Sequence, residues 1–183
     1  MVKDYLPNFA LKTAINASVT SRLDMCNSLL AGICKCRRKL GSVQCSCNIQ
    51  KLQLVQNNAA RLLFRSPKSA EVTPLLKKLH WLPIHARIEY KILTIVYKCL
   101  NGTGPLYLTD LLKVYRQNRS LRSGSKGLLL VEPKSKLVTG GDRTFATLGP
   151  KLWNNLPRHI REATSLDIYK RALKTHMFSK SYD

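Results

Sequence analysis

Acidic side chains are scarce in this chain. Asp and Glu number 10 against 31 Lys and Arg in 183 residues, which leaves a net charge of +21 and a pI near 10.1. No two acids are adjacent, and the closest pair along the sequence is Glu162 and Asp167. A two-metal phosphoryl-transfer centre needs clustered carboxylates that hold two cations about 4 Å apart. No local acid motif of that kind is present, nor a set of acids and histidines of endonuclease type, so the chain reads as noncatalytic and without a cofactor. Aromatic residues are few as well, at 7%, which points to a core of Leu, Ile, Val and Ala. No apolar run approaches the roughly 18 residues of a membrane span, so no membrane partner is expected. The opening "MVKDYLPNFALK" has no long apolar stretch behind a basic start and does not read as a secretory signal. The resulting expectation is an intracellular setting, nuclear or cytoplasmic.

What is present is an ordinary globular balance, 44% hydrophobic and 22% charged, carrying an extraordinary sign of charge. An excess of this size favours polyanions through counterion release, so RNA or DNA is the expected partner. Basic residues are densest in "CKCRRK" (Cys34 to Lys39) and "KVYRQNRSLRSGSK" (Lys113 to Lys126). The first contact candidates are Arg116, Arg119, Arg122 and Lys126, whose arginines recur every three residues. Arg37, Arg38, Lys39, Arg143, Arg158 and Arg161 follow. Contacts to phosphate position a polynucleotide but do not read its bases, so little sequence preference is expected.

Four of the six cysteines, Cys34, Cys36, Cys45 and Cys47, form a CKC…CSC array. Four thiolates are the number a structural zinc site uses, but its paired ligands are usually separated by two to four residues rather than one. Reduced thiols in a loop are the favoured reading, with a metal site as a weak candidate. Cys26 and Cys99 lie among apolar residues and read as small core hydrophobes. His80, His85, His159 and His176 have no cysteine at ligand spacing. Trp81 in "LHWLPI" and Trp153 in "KLWNNLP" sit in apolar contexts, which favours packing over stacking on bases.

The periodicity predicts a mainly α protein, an irregular helical bundle with at most one small β-hairpin. Residues 1–31 read as an N-terminal helix, with Leu11, Ile15, Val19, Leu23, Cys26 and Leu30 along one side and Gly32 as its stop. Residues 32–48 are a Cys-rich basic loop. Residues 49–116 form a helical core. Its first helix has Leu52, Val55, Ala59, Leu62 and Leu63 as its apolar stripe; the second, from Pro83 to "NGTG", buries Ile84, Ile88, Ile92, Ile95, Val96 and Cys99. Residues 117–142 are a basic loop followed by "LLLVEP" and "SKLVT" as a possible hairpin. Residues 143–183 are C-terminal helices, interrupted at Pro150, the last one capped by Thr164 with Asp167 three residues on.

Several blocks occur together and in order: "SRLDMCNSLLAG", "KLQLVQNNAARLL", "LHWLPI", "RIEYKILTIVYKCLNG", "SLRS" and "GDRTFATLGPKLWNNLPRHIR". With them the chain resembles the C-terminal part of LINE-type, non-LTR, jockey-like retrotransposon reverse transcriptases. In that family this stretch follows the polymerase palm, so the resemblance implies the end of the thumb and the tail. The paired aspartates that hold the catalytic metals belong to the palm, which this sequence does not include. Residues 33–48 depart from the family pattern, which passes there with a shorter, Pro-containing link. The resemblance implies a noncatalytic C-terminal fragment of an RNA-directed DNA polymerase, with Met1 as an internal start, that binds RNA or DNA and works beside a separate polymerase core. The alternatives are a decayed mobile-element fragment without activity and a helical protein-interaction module.

Overall fold

Leu11, Ile15, Val19 and Leu23 recur at every fourth residue. An α-helix turns once in about 3.6 residues, so an unbroken helix would carry this row steadily off one face. One widened turn corrects the mismatch. The computed structural model, which describes residues 7–25, 27–31, 48–115, 127–133 and 144–182, has α1 over Asn8–Ile15, a π-helical stretch over Asn16–Thr20 and α2 over Ser21–Asp24. The Ser21 N–H donates to the Asn16 carbonyl, five residues back. Ser18 Oγ donates to the Ala14 carbonyl at 2.6 Å and Ser21 Oγ to the Ala17 carbonyl, and back-bonds of this kind loosen and bend a helix. Leu11, Ile15 and Leu23 are buried as a result. The expected continuation to Leu30 does not form. Met25 takes an extended ψ of 121°, and only a short 3-10 turn over Asn27–Leu30 follows.

Over the described residues the protein is mainly helical, as expected, with no β-strand. Two compact units divide it, Met1–Ile88 with Phe178–Asp183 and Glu89–Met177. The first contains α3 (Asn48–Leu63), α4 (Thr73–Lys78) and the start of α5 (Ile84–Leu100). Leu11, Ile15, Ala59, Ala60, Leu76 and Trp81 form its core, with Val19, Leu63, Val72, Leu75, Leu79 and Tyr182 packed around them.

The buried face of α3 matches its apolar stripe only in part: Ala59 and Leu63 face the core as expected, but other members of the stripe do not. Val55 and Leu62 are 46% and 39% exposed, whereas Gln56 is 1% exposed beside Ala59 and Ala60. Polar partners explain the rotation. Gln56 Nε2 donates to the Leu82 carbonyl at 2.8 Å, and the Ile84 N–H donates to Gln53 Oε1 at 2.9 Å. These two groups flank Pro83, and the Ile84 N–H is one of the orphan donors at the start of α5. Gln53 Nε2 in turn donates to Gln56 Oε1 at 3.0 Å. A buried amide is tolerable only when satisfied in this way. Arg87 on α5 adds a two-point bond to Asp24, with its Nε 2.8 Å from Oδ1.

Both α3 and α4 end in Schellman turns without glycine. At α4 the His80 N–H donates to Lys77 and the Trp81 N–H to Leu76, each at 3.0 Å, with His80 at φ 52°. At α3 the Ser66 N–H reaches Arg61 at 3.0 Å and Arg65 takes φ 51°. Helix α4 begins at Thr73, with Val72 as its N-cap. The Asn-Gly stop of α5 is as expected, with Gly102 at φ 71° and the Thr103 N–H donating to Lys98 at 2.9 Å.

The second unit holds the rest of α5, α6 (Leu106–Thr109), α7 (Phe145–Asn154), α8 (Arg158–Arg161) and α9 (Leu166–Tyr182), whose last residues belong to the first unit. Its centre is aromatic: Trp153 packs inside, as expected, and tyrosines join a core that composition assigned to Leu, Ile, Val and Ala. Tyr97 and Tyr169 stack at 4.1 Å, and Trp153 lies 6.1 Å from Tyr169. Their polar atoms are satisfied by the backbone: Tyr97 donates to Ala163 at 2.8 Å, Tyr169 to Leu93 at 3.1 Å and Trp153 Nε1 to Leu128 at 3.0 Å. Burial pushes the Tyr169 hydroxyl pKa far above its ordinary range.

Helix α7 runs through Pro150 rather than stopping there. The residue before proline normally avoids helical backbone because its Cβ crowds the ring; here that residue is Gly149. A Cβ on Gly149 would also stand 3.2 Å from Val96 Cγ2. The cap of α9 is Ser165, not Thr164, since the Ile168 N–H donates to Ser165 Oγ at 3.3 Å. Of the possible hairpin, residues 135–139 lie outside the described residues. The segment around Leu130 pairs instead with Val114 in an isolated antiparallel bridge.

Candidate nucleic-acid interface

The bridge fixes the two chain ends that flank the basic segment. The Tyr115 N–H donates to Leu129 at 2.9 Å and the Val131 N–H to Lys113 at 2.8 Å. Asn154 grips the same strand from α7. Its Oδ1 accepts from the Leu130 N–H at 3.0 Å and its Nδ2 donates to the Leu130 carbonyl at 2.9 Å. At the far end Gly127 has φ 72°, and a Cβ there would stand 2.7 Å from Glu162 Oε1 and 3.3 Å from Arg158 Cγ. Glycine takes that backbone without strain, and a Cβ there would displace the Glu162 carboxylate.

Arg116, Arg119, Arg122, Lys126, Arg37, Arg38, Lys39 and Arg143 lie outside the described residues, as do Cys34, Cys36, Cys45 and Cys47. Two of the sequence-derived contact residues are described, and they differ. Arg158 is exposed on α8 and pairs with Glu162 at 2.7 Å. Arg161 is 7% exposed, and its Nη1 donates to the Leu128 carbonyl at 2.8 Å. That carbonyl thus accepts from both Arg161 and Trp153. Burial lowers the Arg161 guanidinium pKa below the usual arginine range, with Glu162 opposing the shift. Placing Arg161 on an outer face is therefore corrected: its side chain is turned into the fold and used as a strut.

Charge is distributed unevenly between the units. Among the described residues of the first, the acids are Asp24 and Glu71, and Asp24 is bound to Arg87. Its exposed bases include Lys12, Arg22, Lys51, Arg65, Lys68, Lys77, Lys78 and Lys180. In the second unit Asp110, Glu132, Glu162 and Asp167 are exposed among its lysines and arginines. The basic surface of the first unit was not legible as a motif because each helix contributes only one or two of these residues. Exposed Tyr107 and Tyr115 were likewise missed, since the pattern gave no sign that they differ from the buried tyrosines.

Among the described residues, no three His, Cys, Asp or Glu side chains converge as a metal site would require, and no helix is long and apolar enough to cross a membrane. Trp153 is 1% exposed and Trp81 9%, so both indoles belong to cores. No protein-family model, curated protein or solved structure matches the chain.

Proposed function

We propose that this chain is a noncatalytic polynucleotide-binding segment of the kind that follows the palm in LINE-type reverse transcriptases. The observation that carries the reading is the net charge of +21, together with a first unit whose described acids number two, one of them bound to Arg87. Solubility alone needs far less charge, and a surface of this sign attracts phosphate by counterion release. The residues behind the family resemblance also make packing contacts. Asp24 meets Arg87, Gln53 and Gln56 hold the backbone on either side of Pro83, and Trp153 and Asn154 hold Leu128 and Leu130. A helical scaffold that displays bases to a template or target strand is consistent with such contacts.

Binding to RNA or DNA is expected to be salt-dependent and weakly sequence-selective, and fluorescence anisotropy across a salt series tests it. Each phosphate neutralised contributes a slope of roughly −0.7 to −0.9 in log K against log salt. A flat salt response, or no binding at low salt, sinks the reading. Primer extension on poly(rA)/oligo(dT) with Mg²⁺ or Mn²⁺ is expected to yield no product; reproducible incorporation by the purified chain overturns the noncatalytic assignment. A second reading, a helical protein-interaction module, draws on the outer face of α3, where Leu54, Val55 and Leu62 are 58%, 46% and 39% exposed. Concentration-dependent self-association or partner capture without polynucleotide binding would favour it.

A further inference from the structure

Five of the six described tyrosines fall into two groups, and the sixth, Tyr90, is half-buried on α5. Tyr97, Tyr169 and Tyr182 each donate a hydroxyl to a backbone carbonyl of the fold, those of Ala163, Leu93 and Trp81. Tyr107 and Tyr115 are 71% and 48% exposed instead. Tyr115 is the one placed on extended, paired backbone. In the antiparallel bridge Val114 stands opposite Leu130, so their neighbours Lys113, Tyr115, Leu129 and Val131 share the other side of the ribbon. On that side Lys113 is exposed, Val131 is 40% exposed and Leu129 is half-buried; on the first side Leu130 is 3% exposed and Val114 43%. The outer side therefore carries an aromatic ring one pleat away from an ammonium group, on a backbone held by Asn154 at Leu130.

We propose that this outer side of the ribbon is a stacking platform for an unpaired base of single-stranded RNA or DNA, with Tyr115 supplying the ring and Lys113 a phosphate contact. The proposal rests on the polynucleotide-binding reading and narrows it to single strands. Every base has a π-face, so stacking is sequence-tolerant, and it is closed to a base inside a duplex. The attraction that brings the strand in is the chain's charge of +21. The bridge hydrogen bonds run between backbone atoms, from the Tyr115 N–H to Leu129 and from the Val131 N–H to Lys113, and neither uses the Tyr115 side chain, so replacing the ring leaves the scaffold intact.

The test is fluorescence anisotropy of the full chain with a labelled oligouridine and with an RNA duplex of the same length, at one fixed salt concentration. Tyr115→Ser is expected to weaken oligouridine binding about 5- to 100-fold and to leave duplex binding unchanged. Tyr115→Leu, which keeps the bulk without the π-face, should behave like Tyr115→Ser. Tyr115→Phe should bind like the unmodified chain, and Tyr107→Ser should bind nearly as well. Oligouridine binding that is indifferent to Tyr115→Ser and Tyr115→Leu overturns the platform. So does an equal loss on both substrates, or an equal loss from Tyr107→Ser. If the unmodified chain binds neither substrate at low salt, the polynucleotide reading itself falls and the platform with it. Intact binding with an indifferent Tyr115 removes only the platform.

Discussion

Replacing Arg161 by Lys separates charge from structure. The net charge is unchanged, but the compact ammonium cannot reproduce the planar guanidinium that reaches the Leu128 carbonyl at 2.8 Å. A hydrogen bond from a charged donor contributes about 1.5–3 kcal/mol, and losing it at a buried site forfeits most of that. Trp153 Nε1 still donates to the same carbonyl at 3.0 Å, so the acceptor is not orphaned and the lower half of the range is expected. For a chain of this size about 1 kcal/mol corresponds to roughly 2–4 °C in Tm, which gives a fall of about 3–9 °C. Polynucleotide affinity and its salt slope should not move, because the residue is 7% exposed. Arg158→Gln is the counterpart. Its pair with Glu162 is solvent-exposed and worth at most about 1 kcal/mol, so Tm should barely change. If Arg158 touches phosphate, the salt slope falls by about 0.7–0.9. Far-UV circular dichroism against temperature and anisotropy against salt give both readouts. An Arg161→Lys chain that melts normally but binds polynucleotide poorly would refute the structural role assigned here.

Three further outcomes follow from backbone and burial. Gly104→Ala should destabilise by about 1–3 kcal/mol in urea denaturation, because the new Cβ would stand 2.6 Å from Cys99 Sγ and 2.8 Å from the Cys99 N; a neutral result would mean that the turn after α5 yields easily. At His80, with φ 52°, glycine should exceed alanine in stability by about 1 kcal/mol, since only glycine enters that region without strain; the reverse order would contradict the Schellman geometry at α4. Burial pushes the Tyr182 pKa up to about 12 from an ordinary value of 10. The phenol is neutral in both states below pH 10, so stability is intact there. Between pH 10 and about 12 the unfolded chain ionises first and stability falls, by less than about 1.4 kcal/mol per pH unit after solvent screening. Tyr182→Phe should make that fall shallower while losing the hydrogen bond to Trp81 at neutral pH; an unchanged alkaline slope would remove Tyr182 as its source.

The sequence alone determined the class of fold and the stop of its central helix. Apolar residues at helical spacing made α5 legible, and the Asn-Gly pair that stops it encodes the one backbone angle that its turn requires. Charge was legible too, because net charge is a sum and needs no coordinates. What only the tertiary structure decided is which face of a helix is inside and which arginine is outside. The apolar stripe of α3 was misjudged in part because Gln53 and Gln56 find partners on either side of Pro83, and a satisfied amide competes for burial with leucine and valine. The four-residue row of α1 gave the core positions correctly but not the π-turn that aligns them. Pro150 looked like a break because its tolerance depends on the glycine before it and on the close approach of Val96. Arg158 and Arg161 are indistinguishable along the sequence, three residues apart on one short helix. What sets Arg161 apart is its burial and its bond to the Leu128 carbonyl, 33 residues away, while Arg158 is exposed and pairs with Glu162. Long-range partners of this kind leave no local trace in the sequence.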